Sequence, residues 1–230
     1  MAAQLRLKLD NPAPFRREDF IESSSNADAV AQLDRWPDWR GGALALIGPP
    51  GSGKTHLAAA WAERAHARTV SGTTDIAGLT ELEGSPILME DADGPQADEV
   101  LFHLINMAAR PGGGLLLTAR TPPAAWPASL PDLRSRLNAL PVAQLHEPDD
   151  ALLTALLEKF FRERNIRPPE DLTPYLLRRI ERSARGAREV VAELDEAAGE
   201  QHRPISKGVA REVLERRARE LDEDEAVERG

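Results

Sequence analysis

Hydrophobic and polar positions fall into two regimes along the chain. Between residues 43 and 147, short apolar runs alternate with Ala-rich segments of helical spacing. "ALALIG" (43–48), "ARTVSG" (67–72), "SPILMED" (85–91), "GLLLTAR" (114–120) and "PVAQLHE" (141–147) predict five strands. Three of these runs are almost continuously apolar, as strands buried on both faces of a parallel sheet must be. Segments 55–66 and 96–109 predict helices between them, so the expectation is an α/β fold with right-handed crossovers. After residue 148 the period changes to that of amphipathic helices, interrupted by "RPPED" and "HRPIS", with Asp149, Asp171 and Ser206 placed as N-caps. The expected organisation is a flexible arm (1–18), an α/β domain (19–148), a helical lid (149–220) and a solvated acidic tail (221–230).

Composition narrows this picture. A chain of 230 residues can bury a substantial core. It has no cysteine and a single tyrosine, so disulfides and thiolate zinc sites are excluded and Leu, Ala, Ile and Val must fill the interior. No run of about 18 apolar residues is present, and no signal-peptide core opens the chain, so a cytoplasmic protein with no membrane contact is expected. Net charge is −9, from 29 Lys and Arg against 38 Asp and Glu, which lacks the footprint of a general DNA binder.

"GPPGSGKT" (Gly48, Pro49, Pro50, Gly51, Ser52, Gly53, Lys54, Thr55) satisfies the P-loop pattern between a predicted strand and a predicted helix. Its glycines let successive N–H groups face a phosphate chain, and the helix onset adds a positive dipole end. Lys54 then reaches the β- and γ-phosphates of ATP or ADP, and Thr55 offers its hydroxyl to Mg²⁺. Glu90 and Asp91, at the end of "ILMED", supply carboxylates for the metal and a water. Asp93, just beyond, reads as a turn residue. Thr118 is the polar candidate on the neighbouring strand. The four tryptophans read as packing residues, and the histidines show no ligand spacing.

The order strand, P-loop, helix, "ILMED", sensor strand and helical lid resembles AAA+ ATPases, and finer features resemble the DnaA branch. "DFIESSSNADAVAQL" (19–33) is similar to the DnaA segment that covers the adenine. "GKTHLAAA", including His56, resembles its P-loop helix, and "LLLTARTPPAAWP" its sensor 1 region. "LPDLRSRL" (130–137) looks like its arginine-finger box, and "GAREVVAELDEA" (186–197) like its sensor 2 helix. The resemblance implies Arg136 as a finger acting on a neighbour's nucleotide, with Arg134 as the alternative. It implies Arg188 as the lid's nucleotide contact, and Phe20, Ile21 and Asn26 on the adenine side. Two departures stand out. Glu90 occupies the usual Walker B Asp position, and Arg120 stands where the initiator has an acid; both argue against fast autonomous hydrolysis.

No DnaA-type helix-turn-helix module is expected after residue 216, which makes the chain similar to Hda-like regulators within this family. Those regulators dock on the replicative sliding clamp through a Gln-Leu-x-Leu-x-Leu peptide, and "QLRLKL" (4–9) fits it, with Gln4, Leu5, Leu7 and Leu9 as contacts. The alternating leucines also suit an edge strand. The resemblance implies a negative regulator of replication initiation that is bound to ADP. It would dock on the clamp, stimulate ATP hydrolysis by DnaA, and show no sequence-specific DNA binding; a homo-oligomer is compatible with it. The competing expectations are a helicase-loader-like or truncated-initiator ATPase on single-stranded DNA, and an interaction module of the same fold.

Overall fold

The computed structural model describes residues 15–74, 76–95, 98–200 and 202–228. All five expected strands form: β1 (Ala43–Ile47), β2 (Arg68–Val70), β3 (Pro86–Met89), β4 (Gly114–Ala119) and β5 (Val142–Gln144). They make one parallel sheet in the order β2-β3-β4-β1-β5. Every residue of β1 and β4 is buried, which accounts for their unbroken apolar runs.

Side-chain alternation sends each strand's residues to opposite faces. Ala45, Ile47, Ile87, Met89, Leu115 and Leu117 face α4 (Asp98–Ala108) and α5 (Pro131–Ala139) in one core. Leu44, Leu46, Leu88 and Leu116 face α1 (Ala27–Asp34) and α2 (Lys54–Ala65) in another. Trp39 and Trp61 stack in that second core with ring centroids 5.3 Å apart, and Trp36 meets both edge-on, as packing residues should. A short α3 (Ile76–Thr80) belongs to the first of these layers, where its Leu79 is buried in the core shared with α4.

The helices α6 (Asp150–Glu163), α7 (Leu172–Leu177), α8 (Ala184–Glu200) and α9 (Lys207–Glu228) enclose a third core built on Leu153, Leu157, Phe161, Val190, Val191 and Leu194. Asp149 caps α6, accepting from the Leu152 N–H at 2.7 Å, and Ser206 Oγ accepts from the Val209 N–H at the start of α9. Asp171 behaves differently. It precedes α7 without a side-chain cap bond and instead pairs with Lys207 at 2.9 Å.

Two boundaries differ from expectation. Residues 15–18, read as part of a flexible arm, pack on the body: Phe15 lies against His56, and a 3-10 turn spans Arg17–Asp19. The anchor is aromatic contact across 41 positions of sequence, which local composition does not encode. At the other end, α9 runs on to Glu228 through residues expected as a loose tail. That stretch contains strong helix formers and neither Gly nor Pro before Gly230, so helix propagates once α9 is nucleated. "QLRLKL" lies outside the described residues.

Candidate nucleotide site

The C-terminal ends of β1, β3 and β4 converge, as expected for a ligand site on a parallel sheet. The P-loop leaves β1 at Gly48, whose N–H donates to the Ala119 carbonyl at 3.2 Å, so the loop starts locked to the end of β4. Gly51 (φ 70°) and Gly53 (φ 99°) take left-handed conformations that turn the loop back on itself. Gly53 also lies beneath Phe20: a Cβ there would sit 2.8 Å from the Phe20 ring.

Lys54 opens α2, and its Nζ donates to the carbonyls of Gly48 at 2.8 Å and Pro49 at 2.9 Å. Burial pulls its pKa below the ordinary lysine value, Asp91 opposes that shift, and the positive charge of Arg120 adds to it. Nearby, Ser52 Oγ is buried and makes no hydrogen bond. A buried ammonium resting on carbonyls, an orphaned hydroxyl and a glycine-turned cradle fit a phosphate chain.

Glu90 and Asp91 follow β3. Burial holds the Glu90 carboxyl above its usual range, with the Asp91 charge adding to the effect and a hydrogen bond from Thr55 opposing it. Thr55 and Glu90 therefore already meet where a metal-bound phosphate would stand. Among the described residues no cluster of three or more His, Asp or Glu could hold a metal by itself. A Mg²⁺ here would take only a ligand or two from Thr55, Glu90 and Asp91 and the rest from phosphate and water, the usual habit of that ion.

Thr118 is buried at the end of β4, and its Oγ1 accepts from the Asp91 N–H at 3.1 Å. Its hydroxyl is thus engaged in holding the Asp91 turn, which leaves its proton and one lone pair for a further partner. Asp93, read from sequence as a turn residue, has a larger part. Its carboxylate accepts from the N–H of Arg120 (2.8 Å), the N–H of Thr121 (3.1 Å) and the Thr121 hydroxyl (3.2 Å). Burial raises its pKa, but these bonds outweigh that and hold it below the usual aspartate value. Asp93 therefore ties the turn after β3 to the end of β4.

A cavity of about 410 Å³ runs from this P-loop to the helices beyond residue 149. Gly51, Ser52, Gly53, Lys54, Thr55 and His56 form its floor, while Gly48, Pro49 and Pro50 lie outside its lining. Phe20, Ile21 and Asn26 line the opposite side. Asn26 is 3% exposed, and its amide is consumed within the wall. Oδ1 accepts from the Ser23 N–H at 2.9 Å and Nδ2 donates to the Ile21 carbonyl at 3.0 Å. It shapes the cavity wall rather than offering a free amide to a ligand.

Helix α8 supplies Arg188, which lines the cavity with its guanidinium 4.5 Å above the Phe160 ring. Sequence reasoning missed Phe15, Leu152, Leu156, Lys159 and Phe160, which complete the apolar end. Helical spacing put the last four on an amphipathic face, but nothing local said what that face meets.

The arginine box lies elsewhere. Arg136 is exposed on α5, outside the cavity, with its guanidinium 5.0 Å from the Phe102 ring. Arg134 is tied down by a bond to the Ala124 carbonyl at 3.1 Å.

No protein-family model matches the chain. The chromosomal replication initiator protein DnaA of Thermomicrobium roseum is 28% identical over 226 residues, which cover 86% of this chain and 48% of that protein. The chain thus spans about half the length of that relative. Domain III of Thermotoga maritima DnaA superposes with a TM-score of 0.73 at 17% identity, covering 89% of this chain and 97% of that one. AMPPCP-bound DnaA from Aquifex aeolicus gives 0.70 at 18% identity, over 93% and 71% of the two chains. The Thermotoga maritima RuvB branch migration motor gives 0.59 at 17% identity, over 75% and 60%. Sequence and fold point the same way: the chain is similar in sequence to DnaA and has the α/β fold of DnaA domain III.

Proposed function

We propose that this chain is a nucleotide-bound regulator of replication initiation that acts on DnaA. In this reading ADP or ATP with Mg²⁺ occupies the cavity over Lys54 and Thr55, the base lies toward Phe20, and Arg188 approaches from the lid. Residues 19–148 form the nucleotide-binding unit, 149–220 the lid, and the protein works in the cytoplasm. The observation that carries the reading is the placement of Arg136. It is exposed and outside its own chain's cavity, whereas P-loop residues 51–55, Phe20 and Arg188 line it. A cation so placed is available to a nucleotide held by another subunit, where stabilising developing phosphate charge accelerates hydrolysis on the order of 10³–10⁵-fold in known cases.

Gln4, Leu5, Leu7 and Leu9 serve as the tether to the sliding clamp, adding a second weak contact to the one with DnaA. Glu90 and Asp91 equip the chain for slow turnover of its own nucleotide at most.

The test is ATP loss from DnaA in the presence of DNA-loaded clamp and this protein. Acceleration is expected with the wild type and with Arg134→Ala, and none with Arg136→Ala. A Gln4→Ala/Leu7→Ala variant should lose both clamp retention and acceleration. No effect of the wild type on DnaA would overturn the proposal. Tight, cooperative binding to single strands without clamp would favour the helicase-loader-like alternative.

A further inference from the structure

Helix α8 brings a second arginine to the cavity. Arg185 lines it together with P-loop residues 51–54. Its backbone is held close to them: the Ala184 N–H donates to the Gly51 carbonyl at 3.0 Å, and a Cβ on Gly51 would lie 3.5 Å from Arg185 Cβ. Its guanidinium, however, is committed along the helix, where Nε donates to Glu189 Oε1 at 2.7 Å. Glu189 is shared. Its Oε2 accepts from Arg217 Nη2 at 2.9 Å, and Arg217 reaches across from α9 to hold Glu193 as well, Nη1 to Oε1 at 3.0 Å.

A row of ion pairs therefore runs from the C-terminal helix to the cavity lining. Arg185 is its loosest member, with 78% of its side chain open to solvent against 23% for Arg217. The bond from Arg185 does most to hold the Glu189 carboxyl below its usual range, against burial, and Arg217 adds to it. An exposed ion pair four positions apart on a helix contributes little, whereas phosphate oxygens take a guanidinium through two charge-assisted bonds. A phosphate over Gly51–Lys54 can thus draw Arg185 off Glu189, and Glu189 still keeps Arg217 as a partner. With Arg217 beside it, Glu189 attracts Arg185 less; without Arg217 it attracts Arg185 more.

We propose that Glu189 competes with nucleotide phosphates for Arg185, and that Arg217 on α9 weakens this competition, which makes α9 a regulator of nucleotide affinity. The inference rests on the nucleotide-binding reading of the cavity. Anything that draws α9 away from α8 tightens Glu189 on Arg185 and loosens the nucleotide.

The test is a set of ADP titrations. Glu189→Gln, which keeps the shape of the side chain, is expected to bind ADP about threefold more tightly than the wild type, and Arg217→Gln about threefold more weakly. Arg216→Gln removes the same charge from the next residue, which pairs with Glu193 and Glu220 instead, and should leave the affinity unchanged. In an Arg185→Ala background, itself weaker for ADP, Glu189→Gln should bring no gain. A gain that persists there would be a general effect of charge. That result, or an unchanged or weaker affinity of Glu189→Gln alone, would overturn the inference and leave nucleotide binding intact. An equal loss with Arg216→Gln would overturn the part assigned to Arg217. Should a melting curve show that Arg217→Gln unsettles the lid, the Glu189→Gln arms decide alone. A wild type that binds no ADP would overturn both readings.

Discussion

The Ala184 N–H donates to the Gly51 carbonyl at 3.0 Å, joining the first residue of α8 to the middle of the P-loop. The contact is tight. Gly51 has φ 70°, and a Cβ on it would come within 2.6 Å of Ser183 Cβ. Ser183 cannot withdraw, because it is 1% exposed and its Oγ accepts the Gly186 N–H at 2.8 Å at the start of α8. Gly51→Ala should therefore push α8 from the P-loop and strain the loop together, costing about 1–3 kcal/mol. Urea denaturation should show that loss, and nucleotide affinity should fall with it. Retention of both stability and affinity would mean that this contact is not maintained in solution.

Lys54 rests on the carbonyls of Gly48 and Pro49, a position that costs desolvation and offers only neutral partners. Phosphate oxygens are stronger partners for an ammonium than carbonyls are. Lys54→Ala should thus leave thermal stability without nucleotide within about 1 kcal/mol of the wild type, since removing the ammonium also removes its burial cost. Affinity for ADP should fall by at least about tenfold. Calorimetric titration together with a melting curve separates the two effects. A large destabilisation without any loss of affinity would assign Lys54 a purely structural role.

The sheet, the P-loop and the carboxylates after β3 were legible in the sequence because each is a local constraint. An unbroken apolar run needs burial on both faces, and three glycines around a lysine fix a loop before any tertiary contact forms. Other features depend on which loop lies across from which. Phe15 earns its place from His56, whose ring centroid is 5.2 Å away, and Asp93 from two N–H groups 27 and 28 positions later. Asn26 lines the cavity, but its amide is spent inside the wall, a detail set by the turn at Ser23. Asp171 has the residue type of a cap, yet it is claimed by Lys207 from another helix.

Asp93 gives a pH-dependent prediction. Its folded pKa lies below the ordinary aspartate value of 3.8, because the hydrogen bonds from Arg120 and Thr121 outweigh burial. A depressed carboxylate contributes stability that is fully present above the unfolded value and is lost as pH falls through the folded one. Asp93→Ala should cost about 1–2 kcal/mol at pH 7, by removing an ionised acceptor from two backbone N–H groups. The gap between mutant and wild type should stay constant from pH 7 to about 5 and close only in the strongly acid range. Denaturation midpoints measured across that range decide the point, and a gap that closes already near neutral pH would contradict it.

Glu90 should behave in the opposite sense. Burial and the neighbouring Asp91 raise its folded pKa above the ordinary glutamate value of 4.5, so the folded chain holds this proton more tightly than the unfolded one. Between the unfolded and folded values the native state binds more protons than the unfolded state, and stability falls as pH rises through that window. The ionised Glu90 therefore costs the apo protein stability at pH 7 and costs nothing below the unfolded value. Glu90→Gln, which keeps the shape and removes the charge, should raise the apo melting temperature at pH 7. That gain should shrink as pH falls through the folded value toward 4.5 and be gone below it. The same substitution should weaken Mg²⁺-dependent nucleotide binding, because the cost of a buried carboxylate beside Asp91 is offset when a cation arrives. Melting with and without Mg²⁺-nucleotide, at pH 7 and pH 4, separates the contributions. A Glu90→Gln protein less stable than wild type at pH 7 without nucleotide would show that the carboxylate supports the fold rather than burdening it.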